Sequence, residues 1–195
     1  MRIGILALQG AFAEHSAMLS SLGVRPCLVR TPQGLAGLDG LIMPGGESTS
    51  MRRLAGHSGL LEPLREFGMS RPVWGVCAGL ILLAARVEGE EPFSGLMDMT
   101  VARNAYGRQR DSFVAELQVS GLPGGFFAGV FIRAPRVVEA GPGVEVLAHS
   151  GGAPAALRQG CLLATAFHPE LTKDDRMHRY FLNLCGSREA LPESL

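Results

Sequence analysis

Several features are missing from this sequence, and each absence excludes a class of function. Neither charge is in excess: 18 Lys and Arg face 18 Asp and Glu, for a formal net charge of zero. Without a basic block, the chain has no field to hold a polyanion or dock on an anionic membrane, so no nucleic acid and no membrane are expected as partners. No apolar run is long enough to span a bilayer. The longest uncharged one, Val73 to Ala85, has 13 residues, where a spanning helix needs about 20. The N-terminus, Met1 to Leu8, is a short apolar run leading into Gln9-Gly10 without a small-residue cleavage site, which reads as a first strand rather than a signal peptide. The four cysteines, at 27, 77, 161 and 185, contain no C-x-x-C pair, so neither a zinc knuckle nor a redox pair is expected, and no metal or cofactor. A cytoplasmic protein with reduced thiols follows. The phosphate-loop pattern G-x-x-x-x-G-K-[ST] is also absent.

The chain has 195 residues, 47% hydrophobic and 18% charged. That is too apolar for disorder, and a chain of this length buries roughly 70% of its unfolded surface in one core. A single domain over 1–195 is expected, with a frayed tail from about 187. The 26 glycines and 12 prolines are scattered between apolar runs, as turns are. The first half alternates strand and helix: strands at Ile3–Leu8, Arg25–Val29, Leu41–Met43 and Val73–Val76, helices at about Ala11–Leu22, Ser50–Ala55, Leu60–Phe67 and Ala78–Arg86. That order predicts a parallel sheet with right-handed crossovers. From Met97 to Ala166 short strand-like runs dominate, which predicts a mixed or antiparallel extension of the same sheet. A final helix over Lys173–Cys185 carries one apolar stripe of Met177, Phe181, Leu184 and Cys185, with Thr172 and Asp175 spaced as a capping box. The fold class is therefore α/β: a Rossmann-like three-layer sandwich with a mixed, mostly parallel sheet flanked by helices.

The most informative stretch is Gly75-Val76-Cys77-Ala78-Gly79. A strand enters it and an apolar helix leaves it, the spacing of a nucleophile elbow with cysteine at the reactive position. The glycines permit a tight turn that exposes the side chain beyond the strand's carboxyl end. A helix N-terminus there would favour a thiolate. The plainer alternative is a small buried cysteine in a strand-to-helix turn.

A thiol with a pKa near ~8.5 is only a few per cent ionised at neutral pH and needs a base. Of five histidines, His168 has the best context: it ends an apolar strand and is followed by Pro169-Glu170. Proline biases His168 towards extended backbone, and in an extended chain residues two apart share a face. Glu170 can then orient the imidazole as the third member of a triad; the alternative is that His-Pro-Glu is merely a polar strand end. His15 and His178 fall on helices and read as surface or helix-packing residues.

Pro44-Gly45-Gly46-Glu47-Ser48-Thr49 follows the third strand. Ligands of parallel α/β sheets bind beyond the carboxyl ends of the strands, and glycines there let backbone N–H groups approach a ligand. The loop is expected to supply one N–H donor to an oxyanion, with a second from Ala78. A plain turn is the alternative.

Together these three elements resemble the class I, triad-type glutamine amidotransferase family. Leu8–Ala11 with Glu14-His15, Pro44–Thr49, Met51–Arg53, Cys77–Ile81, Arg103-Asn104 with Gly107–Gln109, Asp111–Phe113, Val130–Pro135 and Phe167–Thr172 narrow the resemblance to its branch of glutaminase subunits of pyridoxal 5'-phosphate synthase. Ile81 stands where many other branches carry glutamine. The resemblance implies a nucleophile at Cys77, a base and acid at His168 and its orienting partner at Glu170. It implies glutamine-binding residues at Gly46, Glu47, Ser48, Arg103, Ile132 and Arg133. L-Glutamine would be hydrolysed through a γ-glutamyl thioester. Ammonia would pass by a tunnel to a separate synthase subunit, with glutaminase subunits on the outside of a synthase core. A stand-alone cysteine hydrolase of similar fold (γ-glutamyl hydrolase or DJ-1-like) and a non-catalytic regulatory module are the competing readings.

Overall fold

The computed structural model describes residues 1–103 and 112–187. In chain order, β1 (Ile3–Leu6), α1 (Phe12–Ser21), β2 (Cys27–Val29), β3 (Gly40–Met43), α2 (Ser48–His57), α3 (Leu61–Ser70) and β4 (Val73–Val76) alternate as the sequence predicts. Next come α4 (Ala78–Leu83), β5 (Ala84–Val87), β6 (Met97–Ala102), β7 (Ser112–Leu117), β8 (Phe127–Ile132) and β9 (Arg136–Ala140). The chain ends in β10 (Glu145–Ser150), β11 (Ala153–Gln159), β12 (Leu162–Thr165) and α5 (Arg176–Gly186). The matched residues Asn104, Gly107, Arg108, Gln109 and Asp111, and the tail from 188, lie outside the described residues.

The main sheet has seven strands in the order β10-β11-β12-β4-β3-β1-β2. The five from β12 to β2 pair in parallel, and β11 and β10 add antiparallel strands at one edge. β1, β3, β4 and β12 are buried along their whole length. Such unbroken apolar runs are what a parallel sheet covered on both faces requires. β4 sits between β12 and β3, with Val76 opposite Thr165 and Gly75 opposite Met43. The segments that leave these three strands therefore emerge side by side at one sheet edge. One continuous apolar core reaches from Ile3 to Phe181 and includes Trp74, Phe127, Phe131 and Phe167. No helix among the described residues is long and apolar enough to cross a membrane.

Three local expectations are corrected. The helix read as Ala78–Arg86 stops at Leu83, because Ala84 turns to extended backbone and pairs with Met97 of β6. A short apolar run suits a buried helix or a buried strand equally, and the partner strand decides. The antiparallel extension is also divided. Of these strands β12, β11 and β10 join the main sheet, β12 in parallel; β5-β6-β9 form a second sheet and β7-β8 a two-stranded ribbon. Finally, Thr172 and Asp175 make no capping box. Helix α5 begins at Arg176, and its first N–H donates to Asp174 Oδ1 at 3.1 Å. Asp174 N–H in turn donates to Thr172 Oγ1 at 3.2 Å.

The elbow depends on both of its glycines. A Cβ on Gly79 would run into the Met43 carbonyl of β3, and one on Gly75 would meet the Gly79 carbonyl and, at 2.8 Å, the Leu80 nitrogen. These obstacles are backbone atoms and cannot swing aside. Gly79→Ala is therefore expected to cost about 2–4 kcal/mol of folding stability through overpacking. Urea unfolding of the variant beside the parent measures it, and a midpoint within error of the parent's would refute the steric argument.

Candidate active site

Cys77 follows β4 directly and caps α4. Its φ is +49°, a left-handed conformation costing a non-glycine residue on the order of 1–3 kcal/mol. Its N–H donates to Thr165 O of β12 at 2.8 Å, which helps hold the turn. The side chain is buried and its sulfur lies 3.9 Å from the Ile132 carbonyl. With six residues, α4 spans under two turns, so its end can supply only part of any thiolate stabilisation.

The other group beside the sulfur is an imidazole. His168 leaves the end of β12, and its N–H is anchored on Val130 O at 2.8 Å. The expected extended path through Pro169 does not occur: Pro169–Leu171 form a turn of 3₁₀ helix. The turn still closes the intended pair, with His168 Nδ1 2.7 Å from Glu170 Oε1. The ring hydrogen-bonds to Cys77 as well. Burial alone would push this imidazole's pKa down, but the hydrogen bond with Cys77 and the hydrogen bond and charge of Glu170 outweigh it and raise the pKa to about 10. The ring also lies against Gly45, where a Cβ would strike it.

The glycine loop after β3 is braced from the β1–α1 turn. Gly45 O accepts from Ala11 N–H at 2.9 Å, and Gln9 Oε1 accepts from Glu47 N–H at 2.8 Å. The Glu47 carboxylate turns onto α2, where it accepts the Thr49 and Ser50 N–H groups at 3.1 and 3.0 Å and the Ser50 hydroxyl. The Ser50 hydroxyl above all holds its pKa below the ordinary value, and the backbone bonds assist. Glu47 thus spends its charge on a helix cap.

A cavity of about 230 Å³ opens at this edge, below the ~300–1,000 Å³ of sites for drug-sized ligands. Gly46, Glu47, Ser48, Cys77, Ala78, Arg103, Ile132, Arg133 and His168 all line it. Glu170 alone of the candidate residues does not; it is buried behind His168. Arg133, with φ +43°, closes the end of β8. Arg103 reaches the cavity paired with the carboxylate of Glu90. Gln9, Ile81 and Pro135 also line it.

The model of the SNO glutamine amidotransferase family matches residues 5–187. The chain belongs to that family. It is 55% identical over 186 residues to the pyridoxal 5'-phosphate synthase subunit PdxT of Geobacillus kaustophilus, covering 94% of each chain. It is 52% identical over 195 residues to the protein of the same name from Deinococcus radiodurans, covering 96% of this chain and 99% of the relative. A solved glutamine amidotransferase is 49% identical, superposes with a TM-score of 0.90 and covers 95% of this chain and 99% of its own. A solved protein of the GMP synthase type from Thermoplasma acidophilum, 20% identical with a TM-score of 0.71, covers 95% of this chain and 94% of its own and shares the fold.

The candidate site has a rear wall that sequence reasoning missed. His15 and His178, read as surface or helix-packing residues, are both wholly buried. They contact each other at 2.9 Å, Nδ1 of His15 to Nε2 of His178, and His15 Nε2 stands 3.5 Å from Glu170 Oε2. The two histidines lie 163 positions apart in the chain, so no local spacing could have joined them. Gln9 was visible in the Leu8–Ala11 stretch, but its bond to the glycine loop was not.

Proposed function

We propose that this chain is the glutaminase subunit of a pyridoxal 5'-phosphate synthase. It hydrolyses L-glutamine to L-glutamate and ammonia and delivers the ammonia to a separate synthase subunit. The observation that carries the reading is Cys77 on a strained elbow, hydrogen-bonded to an imidazole that Glu170 holds from behind, in a chain of the SNO glutamine amidotransferase family.

The Cys77 thiolate attacks the side-chain carbonyl carbon of glutamine. The carbonyl π pair moves to oxygen, and the N–H groups of Gly46 and Ala78 receive the oxyanion. One such donor is typically worth about 2.7–4 kcal/mol of barrier. As the tetrahedral species collapses, the C–N bond breaks and His168 Nε2 gives its proton to the leaving ammonia. Water then loses a proton to the same nitrogen and attacks the γ-glutamyl thioester. The C–S bond breaks, glutamate leaves and the thiolate returns. Glu170 holds the Nδ1–H tautomer throughout, so that Nε2 does the proton transfer. Arg133 and Arg103 offer charge-assisted hydrogen bonds to the substrate's α-carboxylate. Arg103 does so with its charge partly offset by Glu90. Backbone groups of Gly46, Glu47 and Ser48, with Ile132, shape the rest of the glutamine site.

On this reading the chain is a single cytoplasmic glutaminase domain seated on the outside of a synthase core. Its neutral charge suits a zwitterionic substrate and a protein partner. The test is glutamate release from glutamine by the chain alone and after mixing with the synthase partner. A rise of at least tenfold on mixing is expected. Robust hydrolysis indifferent to the partner would sink the coupled-subunit reading, and no hydrolysis under either condition would sink the glutaminase reading.

A further inference from the structure

We propose that His15 is a positioning residue for this site: its Nε2–H holds the rear oxygen of Glu170, and His178 fixes the ring tautomer that makes this possible. The inference rests on the glutaminase reading and extends it by two residues.

Three buried polar atoms point to this role. Among the described residues, only His15 Nε2, Glu170 Oε2 and His178 Nδ1 are buried side-chain nitrogens or oxygens without a hydrogen bond by strict geometry. Two of the three face each other at 3.5 Å, a few tenths of an ångström beyond the about 2.7–3.2 Å of a closed N–H···O hydrogen bond. Glu170 Oε1 is taken by His168 Nδ1. A buried carboxylate is stable only if its other oxygen is also met, and His15 Nε2 is the group in place.

One pattern of hydrogens fits the whole cluster. If His168 is to present Nε2 to the sulfur, its Nδ1 must carry the proton given to Glu170 Oε1. Glu170 is then an acceptor at both oxygens, so His15 Nε2 must carry a hydrogen. A neutral His15 then has a bare Nδ1, and the 2.9 Å contact with His178 requires the hydrogen on His178 Nε2. His178 Nδ1 is left as an unpaired acceptor, one of the three orphan atoms. Reversing the pattern would set a ring lone pair against the carboxylate. The other solution, a second imidazolium beside Glu170, is opposed by burial, which pushes His15 well below its usual pKa and His178 down to about 4.

Trp74 seals the cluster without competing for it. Its ring meets His178 edge-on at 4.9 Å and His15 at 5.6 Å, while its N–H points to Thr165 Oγ1 at 3.2 Å. The ionisable groups facing the pair are His168 and Glu170 from the turn after β12 and Asp175 at the start of α5, with Cys77 beyond His168.

The test compares His15→Met, which removes the donor, with His15→Gln, whose amide N–H can replace Nε2–H. Both are assayed with the synthase partner present. Removing an outer partner of a reacting imidazole typically costs about 10–100-fold, by analogy with metal-bound histidines. His15→Met is expected to lose kcat on that scale with KM changed less than about twofold, and His15→Gln to recover most of it. The second readout is the pH profile of iodoacetamide alkylation at Cys77, followed on its own peptide by mass spectrometry. With His168 held less firmly beside the sulfur, alkylation of Cys77 near neutral pH should slow in His15→Met and recover in His15→Gln. Unchanged kcat and alkylation in His15→Met overturn the proposal. So does equal loss in both variants with an unmoved profile, which is the signature of packing alone. Should His15→Met fail to fold, His15→Asn, too short to reach Oε2, takes its place under the same criteria. An inactive parent would instead count against the glutaminase reading.

Discussion

Cys77→Ser should reduce glutamine hydrolysis by about 10⁴–10⁶-fold, the loss expected when a nucleophile is removed from a triad whose members act as a unit. Serine fits the elbow: the turn is held by the Cys77 N–H on Thr165 O and by the two flanking glycines, none of which involves the sulfur. What changes is acidity. An imidazole raised to about 10 can stabilise an adjacent thiolate but is far too weak a partner to keep a serine alkoxide. The variant should therefore melt within a degree or two of the parent while releasing almost no glutamate. Residual activity above about 1% of the parent's would remove Cys77 from the nucleophile's role.

Glu170→Gln is expected to cost nearly as much, about 10⁴-fold in kcat, as when the carboxylate of a serine-protease triad becomes an amide. The amide can turn its NH₂ towards His168 Nδ1 and stabilise the wrong tautomer, with a hydrogen on the nitrogen that faces the sulfur. Its carbonyl can face only one of its two histidine neighbours at a time. The change also carries a pH signature. In the parent, burial lowers the His168 pKa, and Cys77 and Glu170 more than reverse that effect. A raised folded pKa contributes stability that is fully present below the unfolded value of ~6.5 and fades as pH climbs through about 10. The stability gap between parent and Glu170→Gln should therefore be larger near pH ~6.5 than near pH ~10. Urea unfolding at both values reads it, and a gap that grows with pH would contradict the assignment.

Much of this site is readable from local sequence because its parts are local motifs. Gly75-Val76-Cys77-Ala78-Gly79 gives a strand-to-helix turn that no larger residue at 75 or 79 permits. His168 and Glu170 lie two residues apart and meet even though the backbone between them coils where extended chain was expected. Their pairing survived because Glu170 Oε1 lies within reach of His168 Nδ1 along the coiled path too. Gly45-Gly46 follows a buried strand, and strand ends of a parallel sheet share an edge.

The sequence by itself therefore determined the alternating α/β order, the candidate nucleophile, its candidate base and the edge where they meet. Tertiary structure decided the rest. The apolar run after Cys77 ends as a strand because β6 offers it backbone partners. Glu47 caps α2 with its carboxylate, and Glu90 engages Arg103 across the rim. His15 and His178, on helices at opposite ends of the chain, become one buried hydrogen-bonded pair behind Glu170. The physical reason is common to all of these. Periodicity and turn chemistry act over a few residues, whereas the partner of a buried polar group is whichever group packing brings within 3–4 Å, however far away it lies in the chain.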